Sequence, residues 1–372
     1  MGETQPRTPR GVAILGSTGS IGKSALSVLA RQRDRFEVVA LTARDNQAAL
    51  ARQCAEWSPL LRGLVSERGP ELLVEAATHP AVDIVLNAVV GAAGLDATLA
   101  ALRAGKRVAL ANKETLVMAG DLVRAAAIEG GGELVPVDSE HSAVLQCVAG
   151  RENGLARLIL TASGGPFRDW EPTRIASASI AEALNHPTWR MGSKVTVDSA
   201  TLANKAMEVI EAHHLFGLGY DALEVVVHPQ SIIHAFVEFC DGSVIAQLGF
   251  PTMELPILYA LTHPERLPDI GVRRFDPVAA GSLTFEPVRT DAFRAFRAGL
   301  DAGRAGGTAP AVFNAANEVA VGAFLSGCIP LGRIAEVILR VLDGHTVEPI
   351  HDLATVRAAD EWARARAREA LA

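Results

Sequence analysis

Cysteine is scarce in this 372-residue chain, and its four cysteines, Cys54, Cys147, Cys240 and Cys328, are far apart. No two of them form a C-x-x-C motif, which argues against a disulfide framework and against a thiolate zinc site. Aromatic residues make up only 5% of the chain and charged residues 21%. This composition is typical of a globular protein with reduced thiols, and we expect a cytoplasmic location.

Long apolar runs are also absent. Asp83, Asn87 and Asp96 interrupt the most apolar region, so no segment reaches the roughly 20 residues of a membrane-spanning helix. The first ten residues lack the apolar core of a signal peptide, and Pro6 stands where a myristoylation signal has Ser or Thr. We therefore expect a soluble protein without a membrane partner, preceded by a disordered tail over residues 1–10.

Positive charge is not in excess, because the net charge is −7. This argues against a nucleic-acid partner and means that an anionic substrate needs a local positive pocket. Of the 35 basic residues only five are lysines, which leaves 30 arginines, and no lysine follows Lys205. The few lysines are candidates for that pocket because they provide a compact ammonium group. Compositional drift is the alternative, and it is the better account of Lys106.

Short apolar runs alternate with helical stretches in the first 150 residues, at 12–15, 38–41, 84–90, 108–111 and 134–137. This alternation predicts an α/β domain, with a parallel sheet and helices on both faces. Ligands of such sheets bind at the carboxyl ends of the strands. The chain is long enough for two or three domains.

The first strand ends in the sequence GSTGSIG, and a helical run follows over residues 23–30. Gly16, Gly19 and Gly22 allow a tight turn and close approach to a pyrophosphate, whose charge the helix N-terminus stabilises. A simple glycine-rich turn is the alternative. The position directly after the first strand favours a Rossmann-like dinucleotide site, with Thr18, Ser20 and Ile21 near the phosphates.

An NAD site usually has Asp or Glu at the end of the second strand to bind the ribose 2′-OH, whereas here that strand ends in Arg44, Asp45 and Asn46. Arg44 favours the 2′-phosphate of NADPH. Asp45 is a poor neighbour for that phosphate, so the residue that binds it is left open.

Two later strands also end in polar groups. Asn112, Lys113 and Glu114 follow one strand and should face the cofactor crevice. On an extended chain Asp138 and Glu140 share a side and can bind a divalent cation through oxygen. Helix capping is the alternative, by Asn112 in one case and by Asp138 or the following serine, ahead of a helix predicted over 142–148, in the other. At Asn112 the two roles can coexist.

A second region begins near Leu155. A strand over 157–162 runs into a Ser-Gly-Gly turn at Ser163, which offers donors to an anion or is a plain turn. The segment 185–194 suits a lid that closes over substrate, although a core role for its Trp189 is equally open. A following helix places Asn204 and Glu208 on one face. Spacing alone favours an exposed ion pair between Lys205 and Glu208 there.

Strand-like runs at 223–228, 232–239 and 244–248 predict a second sheet, which is a candidate for dimer pairing as well as core. Four Ala-rich amphipathic segments after residue 290 predict a C-terminal helical bundle. The predicted fold class is α/β, with a Rossmann-like NADP-binding domain, a central α/β (α+β) catalytic domain and the bundle. The predicted boundaries are 11–150, 151–263, a linker at 264–290, and 291–372.

Six motifs occur together in order: GSTGSIG, ANKE at 111–114, PVDSEH at 136–141, TASGGPF at 161–167, HPTWRMG at 186–192 and VDSATLANKAMEVIEA at 197–212. Their combination resembles the 1-deoxy-D-xylulose 5-phosphate reductoisomerase family over nearly the whole chain. The resemblance implies a homodimeric enzyme that uses NADPH and Mg²⁺ or Mn²⁺. It also implies conversion of this phosphorylated sugar to 2-C-methyl-D-erythritol 4-phosphate, in isoprenoid precursor biosynthesis, by skeletal rearrangement and then hydride transfer.

The resemblance further implies individual roles. The implied metal ligands are Asp138, Glu140 and Glu208, and Lys113 lies beside the reacting carbons, so these four residues are the catalytic set. The implied substrate-binding residues are Lys113, Ser139, Glu140, Ser163, His186, Trp189, Ser199, Asn204, Lys205 and Glu208. The implied cofactor-binding residues are Thr18, Gly19, Ser20, Ile21, Arg44, Asp45, Asn46, Asn112, Glu114 and Gly192.

Two other functions are the alternatives. A semialdehyde dehydrogenase needs a nucleophilic cysteine, and only Cys147 is near enough in sequence to the carboxylates to be considered. A protein that senses NADPH without turnover would have no use for a divalent metal.

Overall fold

The computed structural model describes residues 9–371, apart from the side chain of Glu152. Residues 1–8 of the predicted tail therefore lie outside the described residues. Arg10, which also belongs to the predicted tail, already begins the first strand. The chain divides into two compact units. The first comprises residues up to 115, 122–142 and 252–273, and the second comprises 116–121, 143–251 and 274–372.

The first unit contains a six-stranded parallel sheet. Its strands are β1 (Arg10–Leu15), β2 (Phe36–Ala43), β3 (Leu61–Leu64), β4 (Ile84–Asn87), β5 (Arg107–Leu110) and β6 (Glu133–Pro136). The strand order is β3-β2-β1-β4-β5-β6, and every neighbouring pair is parallel. This is the order of a dinucleotide-binding sheet, in which the direction of winding reverses between β1 and β4.

The early helices are α1 (Ser20–Ala30), α2 (Gln47–Trp57), α3 (Val65–Arg68), α4 (Glu71–Thr78), α5 (Leu95–Arg103), α6 (Lys113–Gly130) and α7 (Ser139–Val148). The apolar residues of β1 and β4 from Val12 and Ile84 onward are fully buried, as expected where helices cover both faces of a parallel sheet. The five predicted strands are therefore confirmed, although β4 ends at Asn87 rather than at residue 90. Sequence reasoning missed β3, because LRGL is short and contains a glycine and a charge.

Residues 252–273 belong to the first unit, although the sequence-based division places them in the catalytic region and the linker. Their helix α12 (Glu254–Thr262) packs on α1. Arg31 of α1 binds Glu254 at 2.7 Å and Asp269 at 2.6 Å. These ion pairs fasten a segment that is distant in sequence, which hydrophobic periodicity does not reveal.

The second unit contains a mixed sheet in the order β10-β9-β7-β8-β11. The strands are β7 (Leu155–Ala162), β8 (Leu223–Val227), β9 (Ile233–Phe239), β10 (Val244–Leu248) and β11 (Glu286–Pro287). Only β7 and β8 pair in parallel. Because β11 pairs with β8, part of the predicted linker is built into the sheet.

The remaining helices are α8 (Pro172–Ala176), α9 (Ile180–Leu184), α10 (Ser193–Ala200), α11 (Ala203–Phe216), α13 (Pro277–Ala280), α14 (Arg294–Ala305), α15 (Ala309–Leu325), α16 (Gly332–Asp343) and α17 (Leu353–Leu371). The last four helices confirm the predicted bundle. One buried apolar cluster joins them to α10 and α11. Among residues 9–371 no helix has the length and hydropathy needed to cross a membrane.

Candidate functional site

The glycine-rich turn after β1 has no room for a side chain at two of its glycines, Gly16 and Gly22. Gly16 has a φ of +83°, and a Cβ atom there would lie 2.7 Å from the carbonyl oxygen of Ala88. A Cβ atom at Gly22 would lie 2.5 Å from the carbonyl oxygen of Gly16. Thr18 and Gly19 lie directly before α1, which begins at Ser20 and continues with Ile21. The amides at the helix N-terminus and the three glycines of the turn, which have no Cβ atoms, fit a pyrophosphate group.

Gln53 of α2 holds this turn in place. The hydroxyl of Ser17 donates to Gln53 Oε1 at 2.8 Å, and Gln53 Nε2 donates to the carbonyl oxygen of Ser17 at 2.9 Å. The backbone N–H of Ser17 also donates to Thr42 of β2. Sequence reasoning missed Gln53, because a single glutamine inside a helix carries no motif.

The end of β2 combines an exposed cation with a helix cap. Arg44 Nε lies 2.9 Å from Asp45 Oδ2, and the Arg44 side chain is 86% exposed. Asn46 Oδ1 accepts the N–H of Ala49 at 3.1 Å and so caps α2. Arg44 thus has the reach to meet a phosphate, whereas the side-chain oxygen of Asn46 is already used by the helix.

Asn112 is fully buried, and its side-chain N–H groups serve the neighbouring turn. Its amide donates to the carbonyl oxygens of Val89 and Gly91, both at 2.8 Å, and lies 3.0 Å from Glu114 Oε2. The alternative of a helix start here is confirmed, because Asn112 is the N-cap residue of α6 and Glu114 lies in its first turn, but the Asn112 side chain makes no capping hydrogen bond. Asn87, which the sequence marks only as a polar interruption of an apolar region, is also buried and donates to the carbonyl oxygen of Gly94 at 3.0 Å.

Lys113 and Asp138 meet at the carboxyl end of this sheet. Lys113 Nζ lies 2.5 Å from Asp138 Oδ2, and the two side chains are 9% and 15% exposed. Asp138 stands between β6 and α7, and its carbonyl oxygen accepts the N–H of Ser142 at 2.8 Å. A carboxylate and an ammonium are therefore held together where strand ends meet.

Ser139 and Glu140 lie in the first turn of α7, so the helix begins three residues earlier than predicted. The expectation that Asp138 and Glu140 lie side by side on an extended strand is wrong, because β6 ends at Pro136. Ser139 Oγ donates to Glu140 Oε2 at 2.5 Å. Both carboxylates nevertheless follow β6 directly, and their oxygens are the ligand type that hard divalent cations prefer.

In the second unit, Ser163 directly follows β7 and contacts His186. Ser163 Oγ lies 3.0 Å from His186 Nε2. His186 Nδ1 accepts the N–H groups of Thr188 at 3.1 Å and Trp189 at 2.9 Å. Burial lowers the pKa of His186 to about 4, so the ring is neutral at pH 7. Because Nδ1 is an acceptor, Nε2 carries the proton and donates to Ser163.

The segment between α9 and α10 carries Trp189 and ends at Gly192. The Trp189 ring is half-buried, with its centroid 6.4 Å from that of His234. The carbonyl oxygen of Gly192 accepts a hydrogen bond from Thr196 Oγ1 at 2.9 Å. The lid role of this segment stays a prediction.

Asn204, Lys205 and Glu208 form one group on α11. The Asn204 amide donates to Glu208 Oε1, and the Lys205 ammonium pairs with Glu208 Oε2. The side chains of Lys205 and Glu208 are 5% and 3% exposed, so the alternative of an exposed ion pair is wrong. Lys205 Nζ also donates to the carbonyl oxygen of Thr161 at 2.5 Å, which ties the group to the end of β7.

Ser199 and Leu202 shape the junction between α10 and α11. Leu202 is buried and has a φ of +58°, a left-handed conformation that costs energy in a residue other than glycine. Its N–H donates to the carbonyl oxygen of Ser199, and a Cβ atom at Gly165 would lie 2.7 Å from that same oxygen. Ser199 is thus adjacent to the turn that begins at Ser163.

The second unit therefore gathers several predicted substrate residues around the end of β7. Hydroxyls, an amide, an ammonium and a neutral imidazole N–H are all present: Ser163, His186, Ser199, Asn204 and Lys205. Such donors suit a phosphate group. Asn204 Oδ1 is buried without a hydrogen-bond partner among the described residues, which leaves it able to accept from a ligand.

Cys147 is unsuited to nucleophilic catalysis. It is buried in an apolar cluster with Val144, Leu158 and Leu160. Burial among apolar groups disfavours the thiolate, which is the nucleophilic form of a cysteine. This weighs against the semialdehyde dehydrogenase alternative.

Three family models match the chain. The model for 1-deoxy-D-xylulose 5-phosphate reductoisomerase matches residues 12–68 and 63–120. The model for the C-terminal domain of the same enzyme matches residues 134–216. A further DXP reductoisomerase C-terminal domain model matches residues 248–366.

Full-length relatives and solved structures agree with these matches. The 1-deoxy-D-xylulose 5-phosphate reductoisomerase of Symbiobacterium thermophilum is 51% identical, over 97% of this chain and 98% of its own. That of Geobacillus kaustophilus is 48% identical, over 97% and 99%. A DOX-P reductoisomerase crystal structure with NADPH, fosmidomycin and magnesium is 39% identical, with a TM-score of 0.92 over 97% and 98% of the two chains. The Zymomonas mobilis enzyme with NADPH is 40% identical, with a TM-score of 0.89 over 98% and 99%.

Proposed function

The chain belongs to the 1-deoxy-D-xylulose 5-phosphate reductoisomerase family, and we propose that it converts this substrate to 2-C-methyl-D-erythritol 4-phosphate with NADPH and a divalent metal. The reaction is a skeletal rearrangement followed by hydride transfer. The observation that carries the proposal is the close contact of Lys113 with Asp138 at the carboxyl end of a dinucleotide-type sheet.

The glycine-rich turn is the proposed seat of the cofactor pyrophosphate. Thr18, Gly19, Ser20 and Ile21 lie at the helix N-terminus, where amides and dipole favour negative charge. Bound NADPH supplies the hydride. The 2′-phosphate is assigned to the exposed Arg44, and the remaining proposed contacts are Asp45, Asn46, Asn112, Glu114 and Gly192.

The oxygen donors offered by Asp138, Glu140 and Glu208 fit a hard divalent cation, Mg²⁺ or Mn²⁺. We propose these three carboxylates as the ligands, as the family resemblance implies. Bound there, it supplies Lewis-acid stabilisation of a developing oxyanion. Lys113 adds positive potential beside the same reacting carbons, and Ser139 contributes a hydroxyl to the substrate.

The donor cluster at the end of β7 is the proposed phosphate site. Lys205 and Asn204 are fixed in place by Glu208, and Ser163 is fixed by His186. Donors that are already oriented bind an anion with little further loss of freedom. Phosphate binding away from the reacting carbons provides positioning energy, and closure of the segment that carries Trp189 excludes water.

One assay tests this function against both rivals. Purified protein is mixed with NADPH and 1-deoxy-D-xylulose 5-phosphate, and NADPH consumption is followed with Mg²⁺, with a chelator, and with Mg²⁺ restored. We expect turnover that the chelator abolishes and Mg²⁺ restores. Absence of metal-dependent turnover contradicts the proposal, and binding of NADPH without turnover would favour a sensor. Cys147→Ser retains activity in a reductoisomerase but abolishes it in a semialdehyde dehydrogenase.

We also propose a cytoplasmic homodimer that pairs through β10. This strand is an edge of the second sheet, and Val244 is 52% exposed on it. An exposed edge strand with apolar residues is a ready surface for pairing with another chain. Light scattering of the wild type and of Val244→Lys tests the assignment: we expect a dimer that the lysine weakens, and a monomeric wild type would refute it.

A further inference from the structure

A buried polar contact joins α10 to α15, and no residue in it belongs to the binding site described above. Asp198 of α10 is 1% exposed, and its Oδ1 accepts a hydrogen bond from Asn317 Nδ2 of α15 at 2.7 Å. Lys194 Nζ, one helical turn earlier, lies 3.0 Å from Asp198 Oδ2. The carboxylate is therefore held from two directions.

The surroundings of this contact are apolar. The buried cluster that joins the two helices includes Val197, Ala200, Val312, Phe313, Ala316 and Ala320. Burying a carboxylate among such groups is costly, and apolar side chains would pack there without that cost. A paired polar contact in an apolar interface allows fewer alternative packings, so it suits a role in fixing how α10 is set against α15.

The helix that this contact fixes carries Ser199. Successive residues of a helix point about 100° apart. Asp198 faces α15, whereas the backbone of Ser199 lies against Gly165 of the turn that begins at Ser163. Rotation or sliding of α10 would therefore displace Ser199 from the donor cluster. The same helix begins at Ser193, within the segment 185–194 that is predicted to be a lid.

We propose that Asn317 is a positioning residue: through Asp198 it sets the orientation of α10 and so holds Ser199 in place for the substrate phosphate. This inference rests on the proposed function, because it assigns the phosphate to the Ser199 side of α10. Asn317 itself touches neither substrate nor cofactor in this scheme. Its effect is on the affinity for the phosphorylated substrate.

The test compares two buried asparagines on one helix. Asn314 is as buried as Asn317, but its amide donates to Glu318 at 3.2 Å instead of to Asp198. Asn317→Leu and Asn314→Leu each exchange a buried amide for an apolar side chain of similar size. We expect Asn317→Leu to raise KM for 1-deoxy-D-xylulose 5-phosphate about tenfold, the size expected when the contact of Ser199 with a charged phosphate is weakened, with a smaller change in kcat. Asn314→Leu should leave KM within about twofold of the wild type while losing comparable thermal stability.

A conservative variant separates positioning from a general loss of structure. Asn317→Gln keeps the amide donor and should restore most of the affinity. If Asn317→Leu does not fold, Asn317→Ala replaces it, since it removes the amide without added bulk, and the same rise in KM is expected. An unchanged KM in the folded variant, or an equal rise in Asn314→Leu, overturns the positioning role alone. Absence of wild-type turnover overturns the proposed function and this inference together.

Discussion

The ammonium group of Lys113 lies 2.5 Å from the carboxylate of Asp138, with both side chains largely buried. We expect Lys113→Met to lower kcat/KM by roughly 100-fold or more, the usual effect of losing one charge-stabilising group from an active site. The dissociation constant for NADPH should change little, because the glycine-rich turn is left intact. Steady-state kinetics and NADPH titration measure the two effects.

Lys106 provides a matched control for this substitution. Its ammonium donates to the backbone carbonyl oxygens of Val82 at 2.5 Å and His79 at 3.2 Å, before β5 begins. Lys106→Met should therefore reduce stability somewhat and leave kcat/KM close to the wild type. Equal loss of activity in both variants would contradict a specific role for Lys113, because removal of either lysine from this unit would then disable the enzyme.

Glu208 is bound by Lys205 and Asn204 and is almost fully buried. Glu208→Gln keeps the shape but removes the negative charge that a hard cation requires. We expect the Mg²⁺ concentration for half-maximal activity to rise at least about tenfold, while the dissociation constant for NADPH stays near that of the wild type. A variant that is saturated by the same Mg²⁺ concentration and fully active would refute the ligand assignment.

His186 makes stability depend on pH in a defined direction. Its pKa falls from the ordinary 6.5 to about 4 through burial, so between these values the unfolded chain binds more protons than the folded one. The stabilisation is fully present above pH 6.5 and is lost as pH falls toward 4. Urea unfolding at pH 7 and pH 5 should give a smaller loss of unfolding free energy in His186→Gln than in the wild type. Equal losses in the two proteins would contradict the assignment.

Much of this architecture could be predicted from the sequence, because it depends on local pattern. Buried parallel strands are continuous apolar runs, and the turn at Gly16 needs glycines that lie within a few residues of each other in the chain. The same holds for Asn204 and Glu208, whose spacing places them on one helix face. Each of these features is determined by residues that are close together in the sequence.

The remainder could not be predicted, because it depends on partners far away in sequence. Gln53 supports Ser17 from another helix, and Asn317 reaches Asp198 across 119 positions. Burial of the Lys205–Glu208 pair is also a tertiary property, and spacing alone wrongly favours an exposed pair. The early start of α7 has a different cause. Asp138 and Glu140 could lie side by side on a strand only if β6 continued through both residues, but β6 ends at Pro136.

Gly22 allows a final test of the glycine-rich turn. It lies inside α1, where alanine would ordinarily be preferred by about 0.5–1 kcal/mol. A Cβ atom there would nevertheless lie 2.5 Å from Gly16 O and from Ser17 Cα, and these backbone atoms cannot yield without moving the turn. We expect Gly22→Ala to destabilise the protein by about 1–3 kcal/mol in urea unfolding and to weaken NADPH binding.

Gly322 is the matched control, because it also lies inside a helix, α15, but has open space around the position of a Cβ atom. Gly322→Ala should stabilise the protein by about 0.5–1 kcal/mol through reduced freedom of the unfolded chain, with NADPH affinity unchanged. Opposite signs for the same substitution in two helices would follow only if close backbone contact, rather than helix propensity, determines the glycine at position 22. If Gly22→Ala also stabilised the protein and bound NADPH normally, the turn would have room for side chains and the basis for placing the pyrophosphate there would be lost.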